Sequence, residues 1–331
     1  MYYIIQILDI PAGLDYNSFG NAIGKMKFKE NWDMYANKRR FEGIIPPIVT
    51  PLTDSRELDR DALCRLIDYD LDGGCSGIFA MGSSGEAMMT SRSVWLDTLR
   101  LTVSHVDGRA PVFAGVIDSS TARVVENIKA AEGVGASVMV VTPAFYLQNV
   151  SRDEIFRHFE AVALSTSSEI VVYNIPPTTH VNIDPGTIRE IAAIDNVVAF
   201  KDSAGDWERH QRFLFMLEDR DIAVLNGAEE LCAASMLFGS QGCVPGLANF
   251  FPRMFVELHE KARAGDVAGS YRLQRDISDL RKVLAVGKHW MSAMKHIAFR
   301  LGFGTGAASL PIEPLTPAEK RGIDEILERY L

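Results

Sequence analysis

From residue 43 onward the chain alternates between two kinds of segment. Short, continuously apolar runs rich in β-branched residues fall at 43–49, 77–81, 111–116, 137–141, 169–173, 197–201, 222–225 and 241–245. Continuous hydrophobicity is what a strand buried on both faces requires, as in a parallel sheet covered by helices. Turns and stretches of helical period separate the runs, at 59–72, 91–105, 122–133, 152–165, 185–193, 206–217 and 229–238. Caps mark several of these starts: Asp59 and Ser91 precede their helices, and Asp184 stands before Pro185 at a first turn. Eight such units with short connections predict an α/β fold, a closed (β/α)₈ TIM barrel. An open doubly wound sheet is the alternative, but no long break in the alternation marks a reversal of strand order.

After residue 250 the strands stop, and helices are expected near 252–264, 266–284, 287–301 and 316–330, a C-terminal helical appendage. The expected organisation is an N-terminal extension over 1–41, a barrel carrying the catalytic site over 42–250, and a helical region over 251–331. In the extension, the apolar stretch from Met1 to Leu8 is too short to span a bilayer and lacks a basic leader and a small-residue cleavage site. It reads as neither signal peptide nor anchor. Residues 24–40 show no clear period and read as a flexible or partner-docked arm, or as the product of an upstream start.

Composition narrows the class. With 331 residues, 47% hydrophobic and 23% charged, the chain has the balance of a soluble globular protein. Length alone would suggest two domains, yet α/β barrels commonly run to ~250 residues as one unit. A formal net charge of -9 gives no broad footprint for nucleic acid or an anionic membrane, so an anionic substrate would need local positive groups. Cys64, Cys75, Cys232 and Cys243 lack C-x-x-C spacing and sit among apolar or small neighbours, which points to a reducing cytoplasm and no structural zinc.

In a barrel of this kind the chemistry lies at the C-terminal ends of the strands. The polar residues that end the runs are Thr50, Gly82-Ser83-Ser84-Gly85-Glu86, Thr142, Tyr173-Asn174, Lys201-Asp202-Ser203, Asn226-Gly227 and the Pro245-Gly246 pair. Lys201 closes an apolar run, and an amine held at the rim of an apolar interior loses hydration, which lowers its pKa and makes it a nucleophile for a ketone. A lone strand-end lysine more often snorkels into water. Its place on the sixth strand, facing the other strand ends, argues for catalysis. Tyr173 ends the neighbouring fifth strand, where its hydroxyl could carry protons; filling the barrel top is the plainer role. The Ser83-Ser84 pair between glycines could present hydroxyls and N–H groups to a carboxylate, although Gly-Ser turns are common, and Glu86 is expected to cap the following helix. The seven histidines are dispersed and no phosphate-binding glycine motif follows a strand, so neither metal nor nucleotide cofactor is expected. His180 is a possible pocket-lining residue.

At these residues the sequence resembles the dihydrodipicolinate synthase and N-acetylneuraminate lyase family, over roughly residues 42–325. Gly43-Ile-Ile-Pro-Pro-Ile-Val-Thr-Pro51 is similar to its opening strand, Gly82-Ser-Ser-Gly-Glu86 to its G-[ST]-[ST]-G-E loop, and Tyr173-Asn-Ile-Pro176 to its Y-N-x-P segment. Val198-Ala-Phe-Lys-Asp-Ser-Ala-Gly-Asp206 resembles the stretch around its Schiff-base lysine. The resemblance implies a lyase of the class I pyruvate-aldolase type, without metal or cofactor, often a tetramer built as a dimer of dimers. It implies that Lys201 forms an imine with pyruvate or another 2-oxo acid, that Tyr173 transfers protons, and that Ser83 and Ser84 bind the carboxylate, with Ser83 also in the proton relay. Thr50, Thr178, Ser203, Gly227 and Pro245 are further expected substrate contacts. Phe145 or Tyr146 is expected to cross a subunit interface.

One departure bears on the aldehyde partner. Where dihydrodipicolinate synthases usually carry an arginine for the carboxylate of aspartate semialdehyde, this chain has Thr178, and the glycine two residues on is His180. The 201–206 stretch is closer to members that cleave 4-hydroxy-2-oxoglutarate or act on 2-oxo-3-deoxy sugar acids, and Asn226-Gly-Ala-Glu-Glu230 resembles the N-G-x-D-E of N-acetylneuraminate lyases. A genuine dihydrodipicolinate synthase and a deoxy sugar acid dehydratase are the alternatives within the class. A non-catalytic 2-oxo-acid sensor is the alternative outside it, disfavoured because a binder has no need of a nucleophile paired with a proton carrier.

Overall fold

The computed structural model describes residues 36–147 and 150–331, so the reading of Met1 to Leu8 as neither leader nor anchor lies outside the described residues. Eight strands form one sheet: β1 (Gly43–Ile44), β2 (Ile78–Ala80), β3 (Val112–Gly115), β4 (Val138–Val141), β5 (Glu169–Asn174), β6 (Val197–Asp202), β7 (Ala223–Asn226) and β8 (Gly242–Cys243). All pairings are parallel, in the order β1-β8-β7-β6-β5-β4-β3-β2. The ends of this order meet beyond β1, where Phe79 N–H donates to Pro46 O at 3.0 Å and Ile48 N–H donates to Phe79 O at 2.9 Å. The sheet thus closes on itself as the expected TIM barrel.

The first strand is shorter than the expected 43–49 because Pro46 and Pro47 carry no N–H to donate to a ladder. A side chain takes over there: Asn249 Nδ2 donates to Pro47 O at 3.0 Å and its Oδ1 accepts from Val49 N–H at 2.8 Å. Nothing in the local pattern around residue 249 announces that task.

Helices α1 (Ala36–Arg40), α2 (Arg60–Asp72), α3 (Arg92–Val106), α4 (Thr121–Glu132), α5 (Arg152–Leu164), α6 (Pro176–Thr179), α7 (Pro185–Ile191), α8 (Trp207–Met216) and α9 (Cys232–Leu237) accompany the strands. Alternation along β5 and β6 sends Val171, Tyr173 and Ala199 into the barrel, while Val172 and Phe200 face the helix layer. Interior side chains fill the barrel, so its floor is a packed core and only its C-terminal end can receive a ligand. The floor includes Phe41, packed edge-on against Phe113 at 5.2 Å between ring centroids. Residues 36–41, read from sequence as the end of a loose extension, are therefore held in place, with Asn37 N–H also donating to the Asp221 carboxylate at 3.0 Å.

Past β8 come α10 (Pro252–Arg263), α11 (Val267–Leu280), α12 (Trp290–Arg300) and α13 (Pro317–Leu327), and no further strand among the described residues. The helix expected over 266–284 gives way to a 3₁₀ turn at Arg281–Ala285. No helix among the described residues is long and apolar enough to cross a membrane.

Candidate active site

Tyr173 and Lys201 are register partners on the neighbouring strands β5 and β6 and project together into the top of the barrel. Lys201 Nζ lies 4.0 Å from the centroid of the Tyr173 ring and 4.8 Å from that of Phe79. The lysine is 4% exposed. Burial pushes its pKa down to about 7, since removing an ammonium from water disfavours the charged form.

What sets this lysine apart is that no carboxylate among the described residues holds its charge. The adjacent Asp202 is turned the other way by strand alternation, where Oδ1 accepts from Asn174 Nδ2 at 2.8 Å and Oδ2 lies 3.1 Å from His210 Nδ1. His210 Nε2 in turn meets Ser240 Oγ at 2.9 Å. This Asp–His–Ser chain has the connectivity of a hydrolase relay, but all three residues are buried between sheet and helices, so it anchors strand ends and α8. The contrast is Lys295, 2% exposed, whose Nζ lies 2.8 Å from Glu86 Oε1. Burial lowers the pKa of that amine as well, yet Glu86 opposes the shift. Of these two deeply buried lysines, only Lys201 has no carboxylate partner among the described residues.

Tyr173 is 3% exposed, and its hydroxyl is hydrogen-bonded to Ser83 and Ser203. Burial pushes the phenol up to about 12, against the pull of the two serines, so it rests as a protonated donor. Ser203 comes from just beyond β6 and Ser83 from beyond β2, so the phenol joins opposite sides of the mouth.

The turn that carries Ser83 and Ser84 is flanked by two non-glycine residues in the left-handed region, Met81 at φ 56° and Glu86 at φ 58°. Such strained backbone persists where its surroundings hold it. Among the described residues, no protein oxygen accepts from the N–H groups of Ser83, Ser84 and Gly85, which leaves donors available to an anion. Thr50 sits behind the turn, its Oγ1 donating to Gly85 O at 2.7 Å, so its hydroxyl is committed to the turn. Glu86 does not cap the next helix. Ser91 caps α3, accepting from Val94 N–H at 3.3 Å, while Glu86 pairs with Lys295 and accepts from Ser309 N–H at 2.6 Å.

Two cavities flank the Lys201–Tyr173 pair. One of about 310 Å³ is lined by Ser83, Thr142, Phe145, Thr178, Trp290 and Met291, among others. The other, about 510 Å³, is lined by Ser203, Gly227, Glu229, Glu230 and Arg281, among others. A Cβ at Gly227 would stand 2.0 Å from Ser203 Oγ and 2.9 Å from Lys201 Cε, so any larger residue there would displace both side chains. Ser84 is buried at the edge of the turn, and Pro245 is buried and lines neither cavity. His180 ends the short α6 in the left-handed region, exposed and away from both linings, so the pocket role considered for it is not seen. Of the two interface candidates, Phe145 lines the first cavity, whereas Tyr146 is 91% exposed.

Several contributors are not legible locally. Phe79 faces the lysine from an ordinary strand position. The Thr142 hydroxyl, already expected at the mouth as a strand-ending polar group, is buried in the cavity wall without a partner among the described residues. Trp290, Met291 and Arg281 arrive from the C-terminal region, which carries no motif. Among the described residues no group of three or more His, Cys, Asp or Glu is placed to hold a metal ion.

Comparison with known proteins gives the same outline. Residues 40–330 match the Dihydrodipicolinate synthetase family. A 4-hydroxy-tetrahydrodipicolinate synthase from Sorangium cellulosum is 34% identical over 290 residues, covering 87% of this chain and 95% of the relative. One from Methanospirillum hungatei is 29% identical over 293 residues, covering 88% of this chain and 99% of the relative. Among solved structures, dihydrodipicolinate synthase from Bacteroides thetaiotaomicron superposes with a TM-score of 0.83 at 31% identity, covering 87% of this chain and 98% of that one. A prophage protein of the dihydrodipicolinic acid synthase family from E. coli, solved in complex with pyruvate, also reaches 0.83, at 26% identity and with the same coverage, 87% and 98%. This chain belongs to the dihydrodipicolinate synthetase family, a family of aldolase-type lyases.

Proposed function

We propose that the protein makes or breaks a C–C bond next to the carbonyl of pyruvate or a related 2-oxo acid, through an imine on Lys201. The observation that carries this is a buried amine near its neutral form, without a carboxylate partner among the described residues and set against the Tyr173 ring. The neutral amine attacks C2 of the 2-oxo acid. Tyr173 gives its proton to the carbinolamine oxygen, which leaves as water, and recovers one through Ser83 or Ser203. The protonated imine then accepts the electron pair of the breaking C3–C4 bond as the C4 hydroxyl loses its proton to the relay. Aldehyde leaves, the enamine is protonated at C3, and water releases the 2-oxo acid. Condensation is the reverse. Ser83, Ser84 and the free N–H groups of their turn hold the carboxylate of the 2-oxo acid.

For the second substrate we propose a hydroxylated chain, as in 4-hydroxy-2-oxoglutarate or a 2-oxo-3-deoxy sugar acid. Thr178 lines the first cavity, and no lysine or arginine among the described residues does. Arg281 at the second cavity is already engaged by Glu229 at 3.1 Å and Glu230 at 2.5 Å. Condensation of pyruvate with aspartate semialdehyde is the second reading, favoured by the names of the curated relatives. Loss of a buried arginine–carboxylate contact commonly costs ~2 kcal/mol or more, at least ~10-fold in kcat/KM for a substrate that needs it. Steady-state kcat/KM on one preparation should therefore favour cleavage of 4-hydroxy-2-oxoglutarate or a deoxy sugar acid over aspartate semialdehyde condensation by at least that factor. Aspartate semialdehyde proving the best substrate by a clear margin would refute the inference from Thr178.

A homo-oligomer is part of the proposal, with the exposed Tyr146 as the aromatic offered to a neighbouring copy. The four cysteines are free thiols, as suits a reducing cytoplasm.

A further inference from the structure

Lys295 lies on α12, outside the barrel, yet its ammonium reaches the base of the Ser83-Ser84 turn. It bonds Thr50 O, in the segment that follows β1, and pairs with Glu86 Oε1 at 2.8 Å. The other oxygen of Glu86 accepts from Ser309 N–H at 2.6 Å, and Thr50 Oγ1 donates to Gly85 O at 2.7 Å. The Lys295–Glu86 pair therefore ties together the segment after β1, the turn at 82–86 and the C-terminal loop at 309. Lys295, Glu86 and Thr50 are all buried.

A buried ion pair is an inefficient way to stabilise a fold, because desolvating two charges offsets most of their attraction and an apolar pair of the same volume often does as well. Geometry is a better explanation for this one. Glu86 is held at φ 58°, where a residue with a side chain does not stay unless its surroundings fix it. It stands two and three residues after Ser84 and Ser83. Glu86 and Ser83 both line the first cavity, and the tether meets Glu86 at its carboxylate.

We infer that Lys295 is a positioning residue: through Glu86 and Thr50 it sets the Ser83-Ser84 turn at the distance required by the carboxylate of the 2-oxo acid. The inference rests on the reading of that turn as the carboxylate site. It makes the C-terminal region a working part of the active site, in addition to the Trp290 and Met291 side chains that α12 places in the cavity wall. The Lys201–Tyr173 pair is set by the β5–β6 ladder, independently of Lys295. Loss of the tether should therefore weaken capture of the 2-oxo acid more than the chemistry that follows.

The test is the pyruvate dependence of borohydride trapping, read by intact mass on the whole chain, for wild type and Lys295→Met. Half-saturation should move to a pyruvate concentration ~10-fold higher or more, with the adduct still on Lys201 at saturation. A purely structural role would reduce the fraction of protein that can be trapped and leave half-saturation where it is. Should Lys295→Met fail to fold, the double variant Glu86→Gln/Lys295→Met removes both charges at similar volume and is read in the same way. Half-saturation within two-fold of wild type in a folded variant overturns the inference. Absence of any adduct in wild type would instead remove the Schiff-base reading on which it stands.

Discussion

Tyr173→Phe should lower kcat by ~10²-fold or more with the barrel intact, the usual consequence of losing a positioned proton donor. The substitution is nearly neutral for packing. A phenylalanine ring keeps the edge-on contact with Phe79, at 6.2 Å between centroids, and the face presented to Lys201. What disappears is the hydroxyl between Ser83 and Ser203, so proton delivery to the carbinolamine oxygen would fall to water in a largely enclosed site. KM should change much less than kcat, because the turn keeps its free N–H groups and its tether to Lys295 and loses only the Tyr173 contact of Ser83. Steady-state kinetics together with circular dichroism checks this. Near-normal turnover would leave Tyr173 as a packing residue at the barrel top.

Lys201→Met should abolish turnover and, at neutral pH, make the protein more stable. In the folded chain burial lowers the pKa of this amine from 10.5 to about 7, whereas an unfolded chain leaves it near its ordinary value. The unfolded state therefore binds more protons over that interval, and the penalty is fully present below about 7 and fades as pH rises through the unfolded value near ~10.4. At pH 7 the relief from removing the amine is on the order of 2–4 kcal/mol, because each tenfold change in proton affinity between the two states is worth ~1.36 kcal/mol and relaxation of the site recovers part of the total. That corresponds to a rise in Tm of several degrees for a chain of this size. Thermal unfolding of both proteins at pH 7 and near pH 10.5 decides the matter. The gain should be large at the first and small at the second, and a variant no more stable than wild type at pH 7 would mean that the amine is solvated or paired.

The parts of the molecule legible in sequence are those whose physics is local. Strands buried on both faces wrote themselves as unbroken apolar runs, and Asp59, Ser91 and Asp184 cap the helices they were expected to cap. Lys201 and Tyr173 were legible because a polar residue closing an apolar strand has few places to point. Failures came where a distant segment decides the outcome. Pro46 and Pro47 shorten the first strand, and its repair comes from Asn249, 200 residues away from Val49. Glu86 looked like a helix cap because its partner Lys295 is remote, and Phe41 looked like part of a loose arm because the floor it fills exists only once the barrel has closed. Where the Thr50 hydroxyl and the His180 ring point was not legible, because backbone periodicity leaves side-chain orientation open.

The central claim is that Lys201 forms an imine with a 2-oxo acid, and borohydride reduction in the presence of pyruvate tests it most directly. Hydride fixes an imine as a stable secondary amine, so intact-mass analysis should show one added reduced pyruvyl group. Peptide mapping should place it on Lys201, and Lys295, buried and paired with Glu86, should remain unmodified. Absence of an adduct with pyruvate and every other 2-oxo acid tried, or an adduct on a different lysine, would contradict the account.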